Sequence, residues 1–281
     1  MTPRVRRLLS DSLVSGGLHV LLAVTAAATL LPFFWMLSTS LKSGGGLFTY
    51  PPTWIPTEPT LQWYIQLIKE VNFLLHFRNS VIVSTSITIL SLFINSMAGY
   101  AFAKHQFRHR DKLFSLLLAT MMVPGQLTMI PVFLLLKKLG LLNSYLGLII
   151  PVSANVFGIF LIRQFMMSIP NDLIESARID GCSEFRIYWS VVLPLCRPIL
   201  ATLGIFTFMG SWNDFLWPLI VMVREAGYTL PVALANLNGQ HPTDFGLLMA
   251  AAVVVVVPVI VVFILAQKYV IRGIATTGLK E

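Results

Sequence analysis

The chain's 281 residues are 56% hydrophobic and only 11% charged, against about 25% charged in soluble globular domains, which excludes a soluble domain. The formal net charge of +8 flanks apolar segments instead of forming a patch, which excludes a nucleic-acid-binding role. Cys182 and Cys196 are the only cysteines; they suit neither a disulfide framework nor a metal site and are read as reduced thiols.

A bilayer-crossing helix needs about 20 mostly apolar residues. Six segments qualify, roughly Gly17 to Leu37, Ser80 to Phe102, Leu113 to Leu136, Tyr145 to Phe165, Pro198 to Val223, and Gly246 to Gln267. The expected fold class is an all-α membrane protein with six transmembrane helices. It divides into an N-terminus at 1–16, a six-span domain at 17–267 and a tail at 268–281. Lys and Arg gather on one side of that topology: Arg4, Arg6 and Arg7, then Lys104 to Lys112, Arg163 to Arg197, and Lys268 to Lys280. The positive-inside asymmetry puts both termini in the cytoplasm.

The Arg-rich start resembles a signal peptide, but apolar character continues past Ala26-Ala27-Ala28 through Leu30 to Trp35, so it is read as an uncleaved span. The first external loop holds Pro51, Pro52, Pro56 and Pro59 with Trp54, Trp63 and Tyr64. Its prolines and aromatics predict an irregular, interface-hugging segment with one short helix near Leu61 to Val71.

In the second span Ser80, Ser84, Thr88, Ser91 and Asn95 recur at helical spacing and form one stripe. Polar atoms facing lipid are costly, so the stripe faces protein or water. Two roles are open to it: helix–helix packing and lining a solute path. Pro124, Pro131, Pro151, Pro218 and Pro258 predict bends in the later spans, and Asn155 is a further pathway candidate inside the fourth.

Residues 168–196 form a polar run between apolar segments. Pro170 suits a first helical position and Asp172 the opening turn. Gly181 is placed to end that helix in a left-handed turn. Ser183 can cap a second helix carrying Phe185, Tyr188 and Val192 on one side until Pro194 stops it. The expected product is two short helices joined at a glycine turn, with too little apolar surface to stand alone and in need of a partner's groove. Glu175, Arg178, Asp180, Glu184 and Arg186 would set register and partner choice.

Asp214 lies in the otherwise apolar fifth segment beside Trp212, Asn213, Phe215 and Trp217. An intramembrane carboxylate is a functional candidate; a translocation site and a structural brace or gate are both open to it. The loop from Arg224 to Phe245, with Tyr228, Asn236, Asn238, Gln240 and His241, is open to being merely solvated surface or, as a family resemblance implies, the contact for an external partner. No Gly-x-x-x-x-Gly-Lys-Ser/Thr phosphate loop, paired-His zinc motif or Gly-x-Ser-x-Gly elbow occurs, so the chain carries no sequence signature for hydrolysing a nucleotide.

The run Glu175-Ser176-Ala177, Asp180-Gly181, Val191, Leu193 and Pro194 resembles the signature loop of ABC-type import permeases. Ser176, Cys182 and Val191 depart from the usual alanine, alanine and isoleucine by small changes. Thr39-Ser40-Leu41-Lys42, Pro51-Pro52, Ala98-Gly99-Tyr100-Ala101-Phe102-Ala103 and Trp212-Asn213-Asp214-Phe215 are similar to the carbohydrate-uptake branch, in particular the smaller six-span subunit. The resemblance implies a type I importer permease fold with cytoplasmic coupling helices in a bacterial or archaeal inner membrane. It implies ATPase-coupling roles for Glu175, Ala177, Arg178, Asp180, Gly181, Glu184, Leu193 and Pro194. The pathway candidates are Ser84, Thr88, Ser91, Asn95, Asn155, Asn213, Asp214 and Trp217. The implied partners are a second permease subunit, two ATP-binding-cassette ATPases holding ATP and magnesium, an extracytoplasmic solute-binding protein and the bilayer. The chain itself is expected to be no enzyme and to bind no cofactor. Sugar import is the leading reading; a polyol, glycerol phosphate, peptide or amino acid cargo stays open, as does ion-coupled secondary transport.

Overall fold

The computed structural model describes residues 3–44, 50–70, 72–240 and 244–277; His241 and the last four residues lie outside it. Among the described residues every regular element is helical. Two compact units divide the chain, Met1–Val71 with Leu237–Val254, and Asn72–Asn236 with Val255–Glu281.

The first unit is dominated by α1 (Pro3–Ser40), which is apolar and exposed from Val14 through Phe34. Its C-terminal end is anchored by polar groups that the loop supplies. Ser38 Oγ donates to Trp54 O at 2.6 Å, Ser40 Oγ meets the Tyr64 hydroxyl at 2.8 Å, and Trp63 Nε1 donates to Lys42 O at 2.7 Å. The Lys42 ammonium is buried, bonded to Thr53 O and 4.5 Å from the centre of the Trp35 ring, a desolvated cation–π arrangement. The short helix expected in this loop is α2 (Gln62–Glu70).

The second unit is built around α3 (Phe73–Lys104), an unbroken helix of 32 residues. It is followed by α4 (Arg110–Ala119), α5 (Gly125–Lys138), α6 (Tyr145–Ser153), α7 (Val156–Met167), α8 (Asn171–Ile179), α9 (Glu184–Ile187), α10 (Leu193–Leu195), α11 (Arg197–Trp212) and α12 (Leu216–Val221). Beyond these lie α13 (Leu230–Gln240) and α14 (Phe245–Thr277). α7, α11 and α6 pack on α3. Small residues set the closest approaches. At Gly99 a Cβ would fall 2.8 Å from Ile162 Cγ2, and at Gly158 one would fall 2.6 Å from Asn95 Nδ2, so on each helix a side chain packs directly against the other's glycine backbone.

Among the described residues three helices are long and apolar enough to cross a bilayer: Val14–Ser40, Phe73–Lys104 and Phe245–Leu265. Three bent pairs raise that number to as many as six if each pair is one span. The bends expected in the segments at 113–136, 145–165 and 198–223 take the form of breaks between separate helices. The first breaks at Val123-Pro124 with a bend of 98°: proline pushes the residue before it out of helical geometry, and Val123 is extended. The second bends by 44° at Ala154-Asn155. The third ends at Trp212, and residues 213–215 separate it from α12; its other end meets α10 at an 81° bend around Cys196.

Candidate functional site

Residues 168–196 form an elbow of helices at one end of α3. Pro170 is the residue before the first turn of α8 rather than its first helical position. At the other end Gly181 adopts φ +78°, its N–H donates to Arg178 O at 3.0 Å, and the Cys182 N–H donates to Ala177 O at 3.0 Å. These paired bonds close the helix in a Schellman turn, whose left-handed residue is the reason for the glycine. Ser183 Oγ then accepts from Arg186 N at 3.4 Å and starts α9, as expected of an N-cap serine.

Two details differ from the sequence expectation. Pro194 does not stop the second helix: α9 passes through a wide π turn at Tyr188–Val192 into α10, which contains Pro194, and the break comes at Cys196. The π turn also alters the register. Ile187, Tyr188 and Val192 are buried, whereas Phe185 is 60% exposed beside Trp189, because the extra residue per turn rotates the later side chains inward relative to Phe185.

The elbow has two faces. Ile174, Ala177, Ile187, Tyr188 and Val192 pack inward with Tyr100, Ile162 and Met166. Glu175, Arg178, Asp180 and Gly181 lie on the exposed side, while Leu193 and Pro194 are half-buried. Glu184 is exposed but engaged within the chain: Arg178 Nε donates to its Oε1 at 2.6 Å, the Tyr100 hydroxyl donates to its Oε2 at 3.2 Å, and His105 Nε2 stands 3.7 Å away. That bond to Glu184 is the main reason the Arg178 guanidinium sits above its ordinary basicity.

α3 grips the elbow from beneath. Lys104 Nζ donates to Ile169 O at 2.6 Å and to Asn171 Oδ1 at 2.9 Å. Ser96 Oγ and the Tyr188 hydroxyl lie 2.7 Å apart and both are buried. Sequence reasoning missed Ser96, Lys104 and the tyrosine pair as a unit. Ser96 follows directly on Asn95 of the polar stripe, which was the one available signal.

Further along α3 the polar stripe borders a cavity of roughly 280 Å³ lined by Ser91, Asn155, Thr207, Ser211 and Asp214, with Phe206 among its apolar walls. A second cavity of roughly 300 Å³ is lined by Gln126, Thr128, Asp214 and Trp217. Asp214 borders both. It is not inside a helix: it occupies the break before α12, where its Oδ1 accepts from Trp217 N at 3.3 Å. The carboxylate thus caps a helix and still fronts open space.

The other pathway candidates divide. Ser91 and Asn155 reach the cavity. Asn95 is fully buried, donating Nδ2 to Ser91 Oγ at 2.7 Å and accepting at Oδ1 from Asn155 N at 3.1 Å. Thr88 Oγ1 returns its hydrogen to Ser84 O at 2.7 Å, and Ser84 Oγ is buried without a partner. Asn213 is exposed and donates to Met209 O. Ser80, at the start of the stripe, accepts from Leu230 N at 2.7 Å. The stripe therefore serves packing over most of its length and the cavity at Ser91.

Broken apolar helices around a polar cavity, with a half-exposed helical elbow tied to the central helix, are the makings of a multi-pass membrane permease. The chain belongs to the family of binding-protein-dependent transport system inner membrane components, whose profile matches residues 94–276. It is 36% identical to the arabinooligosaccharides transport system permease protein AraQ of Halalkalibacterium halodurans, across 86% of each chain. It is 36% identical to the sulfoquinovosyl glycerol transport system permease protein SmoH of Agrobacterium fabrum, across 89% of each. Among solved structures it is similar to a chain of a bacterial ABC transporter involved in import of the acidic polysaccharide alginate, with TM-score 0.82, 28% identity, and coverage of 92% of this chain and 97% of that one. The fold is that of an ABC importer permease.

Proposed function

We propose that the chain is one permease subunit of an ATP-driven, binding-protein-dependent importer of sugars or short oligosaccharides, pairing with a second permease to enclose the pathway. The observation that carries this reading is the elbow: a rigid glycine-turned pair of helices with one face packed on α3 and the other presenting Glu175, Arg178 and Asp180. In this reading the exposed face enters a groove on a cytoplasmic ATPase, which supplies the ATP and magnesium chemistry. An external solute-binding protein delivers cargo at the opposite membrane face.

The cargo class is supported by the cavity and by the relatives. Ser91, Asn155, Thr207, Ser211 and Asp214 offer amide, hydroxyl and carboxylate groups in a cavity that Phe206 also lines. That combination suits a solute with hydroxyls around an apolar ring face. AraQ is named for arabinooligosaccharides and SmoH for sulfoquinovosyl glycerol.

Uptake of a labelled arabinotriose by cells carrying the whole transporter, with and without its ATPase gene, tests the proposal. Uptake that vanishes with the ATPase supports it. Uptake that persists without the ATPase overturns ATP drive, and an intact transporter that carries no saccharide overturns the cargo class.

A further inference from the structure

The elbow and the cavity grip the same helix at neighbouring residues. On the elbow side Ser96 Oγ donates to Phe93 O at 3.1 Å, which leaves the Tyr188 hydroxyl to donate in the buried 2.7 Å bond between them. Tyr188 is held there by the π turn and by the Tyr100 ring at 5.5 Å. One residue earlier, Asn95 receives the Asn155 N–H and donates to Ser91. Asn155 in turn caps α7 by accepting from Gly158 N at 3.2 Å, and both Asn155 and Ser91 are cavity wall. Gly158 lies so close to Asn95 that a methyl group there would collide with it. The Tyr188–Ser96 and Asn95–Ser91 bonds are buried and the two at Asn155 are part-buried, so breaking a buried one leaves a polar group unsatisfied and costs more than losing a surface contact would.

We propose that α3 is the rod that carries elbow movement to the cavity, fastened to the elbow by Tyr188–Ser96 and to the broken fourth span by Asn95–Asn155, and that Asn95 is a positioning residue rather than a group that binds cargo. An unbroken helix moves as one body, and coupling between distant sites travels through rigid elements with well-satisfied contacts at each end. Both fastenings fall on adjacent residues of one such helix, so a displacement of Tyr188 arrives at Asn155 without passing through a flexible segment. The inference rests on the reading of the elbow as the ATPase contact.

The test uses the chain in its assembled transporter, with Cys182→Ser and Cys196→Ala removing the native thiols and Thr207→Cys reporting cavity access. Labelling by a membrane-impermeant maleimide is timed with and without ATP plus vanadate. Trapped nucleotide is expected to change the labelling rate by about five-fold or more, the lower end of typical coupling between sites. Tyr188→Phe and Ser96→Ala should each shrink that change at least by half, with the double variant no worse than the weaker single, because both remove the same bond. Asn95→Ala should also shrink it, while Asn95→Asp, which keeps an acceptor for Asn155 N, should restore it. ATP hydrolysis and retention of the ATPase should be unaltered in every variant. A full response in Tyr188→Phe, Ser96→Ala or Asn95→Ala overturns the rod, and so does loss of the ATPase from any of them. Failure of the ATPase to copurify even with the reporter chain overturns the underlying elbow reading instead.

Discussion

Tyr145 donates its phenolic hydrogen to Asn79 Oδ1 across 2.7 Å, and the amide nitrogen of the same Asn79 donates to Ala226 O at 2.9 Å and Tyr228 O at 3.0 Å. Asn79 is fully buried, so one side chain fixes the segment after α12 against α3. His76 Nδ1 stands 3.2 Å from the same Tyr228 carbonyl. Replacing Asn79 by alanine strands these groups, at about 1–3 kcal/mol for each one left unsatisfied. Asn79→Ala should lower the thermal midpoint of the detergent-purified protein by far more than Tyr145→Phe, which loses one donor. Equal midpoints for both variants would contradict the clamp.

At Gly181 nothing lies within 4 Å of the position a Cβ would occupy, yet φ is +78°. Crowding is therefore no obstacle and the backbone alone decides. Gly181→Ala should cost about 1–2 kcal/mol locally and depress uptake moderately, with Gly181→Asn milder. Gly181→Pro cannot reach positive φ and loses the bond to Arg178 O, so it should abolish uptake while membrane insertion, read by immunoblot of the membrane fraction, is retained. Uptake by the proline variant at the unsubstituted rate would sink the turn's role.

Asp214 separates charge from capping. Asn keeps an oxygen for the Trp217 N–H, whereas alanine removes the cap, typically worth about 1 kcal/mol. If the carboxylate serves solute in the cavity, Asp214→Asn should leave the unfolding midpoint near that of the unsubstituted chain and still cut saccharide uptake several-fold. Normal transport by Asp214→Asn together with impaired transport by Asp214→Ala would make Asp214 a helix cap alone.

Close packing of α7 on α3 gives a fourth expectation. A methyl group at Gly158 would fall 2.6 Å from Asn95 Nδ2 and 3.2 Å from Leu203 Cδ2. Overpacking of this kind costs about 1–3 kcal/mol. Gly158→Ala should lose folded yield and thermal stability, and Gly210→Ala, with open space around it, should lose neither. The comparison is made by fluorescence-detected chromatography after graded heating.

The elbow was legible because its determinants are local: a glycine at a left-handed position, a serine cap and the residues between them fix Asn171–Ile179 and the start of α9 with little help from the rest of the chain. The stripe on α3 was equally plain, since spacing alone puts Ser80, Ser84, Ser91 and Asn95 on one face. What each of them touches was not legible. Ser80 meets Leu230 and Asn95 meets Asn155, partners 150 and 60 positions away, which no local pattern records. The breaks were only half foreseen. Proline marked the bend at 124, but the one at Asn213-Asp214 has no proline before it and follows from a carboxylate capping the next helix. Phe185 went astray for a related reason: an inserted π-turn residue cannot be seen in a periodicity that assumes 3.6.

The interruptions near Pro124, at Asn155 and at Asp214 have one more effect. Peptide groups freed from a helix cannot be left to hydrocarbon, and all three interruptions adjoin the two cavities, through Gly125, Asn155 and Asp214. The two cavities give these breaks polar surroundings in place of lipid. In the proposed importer, a solute crossing there would trade one set of polar neighbours for another.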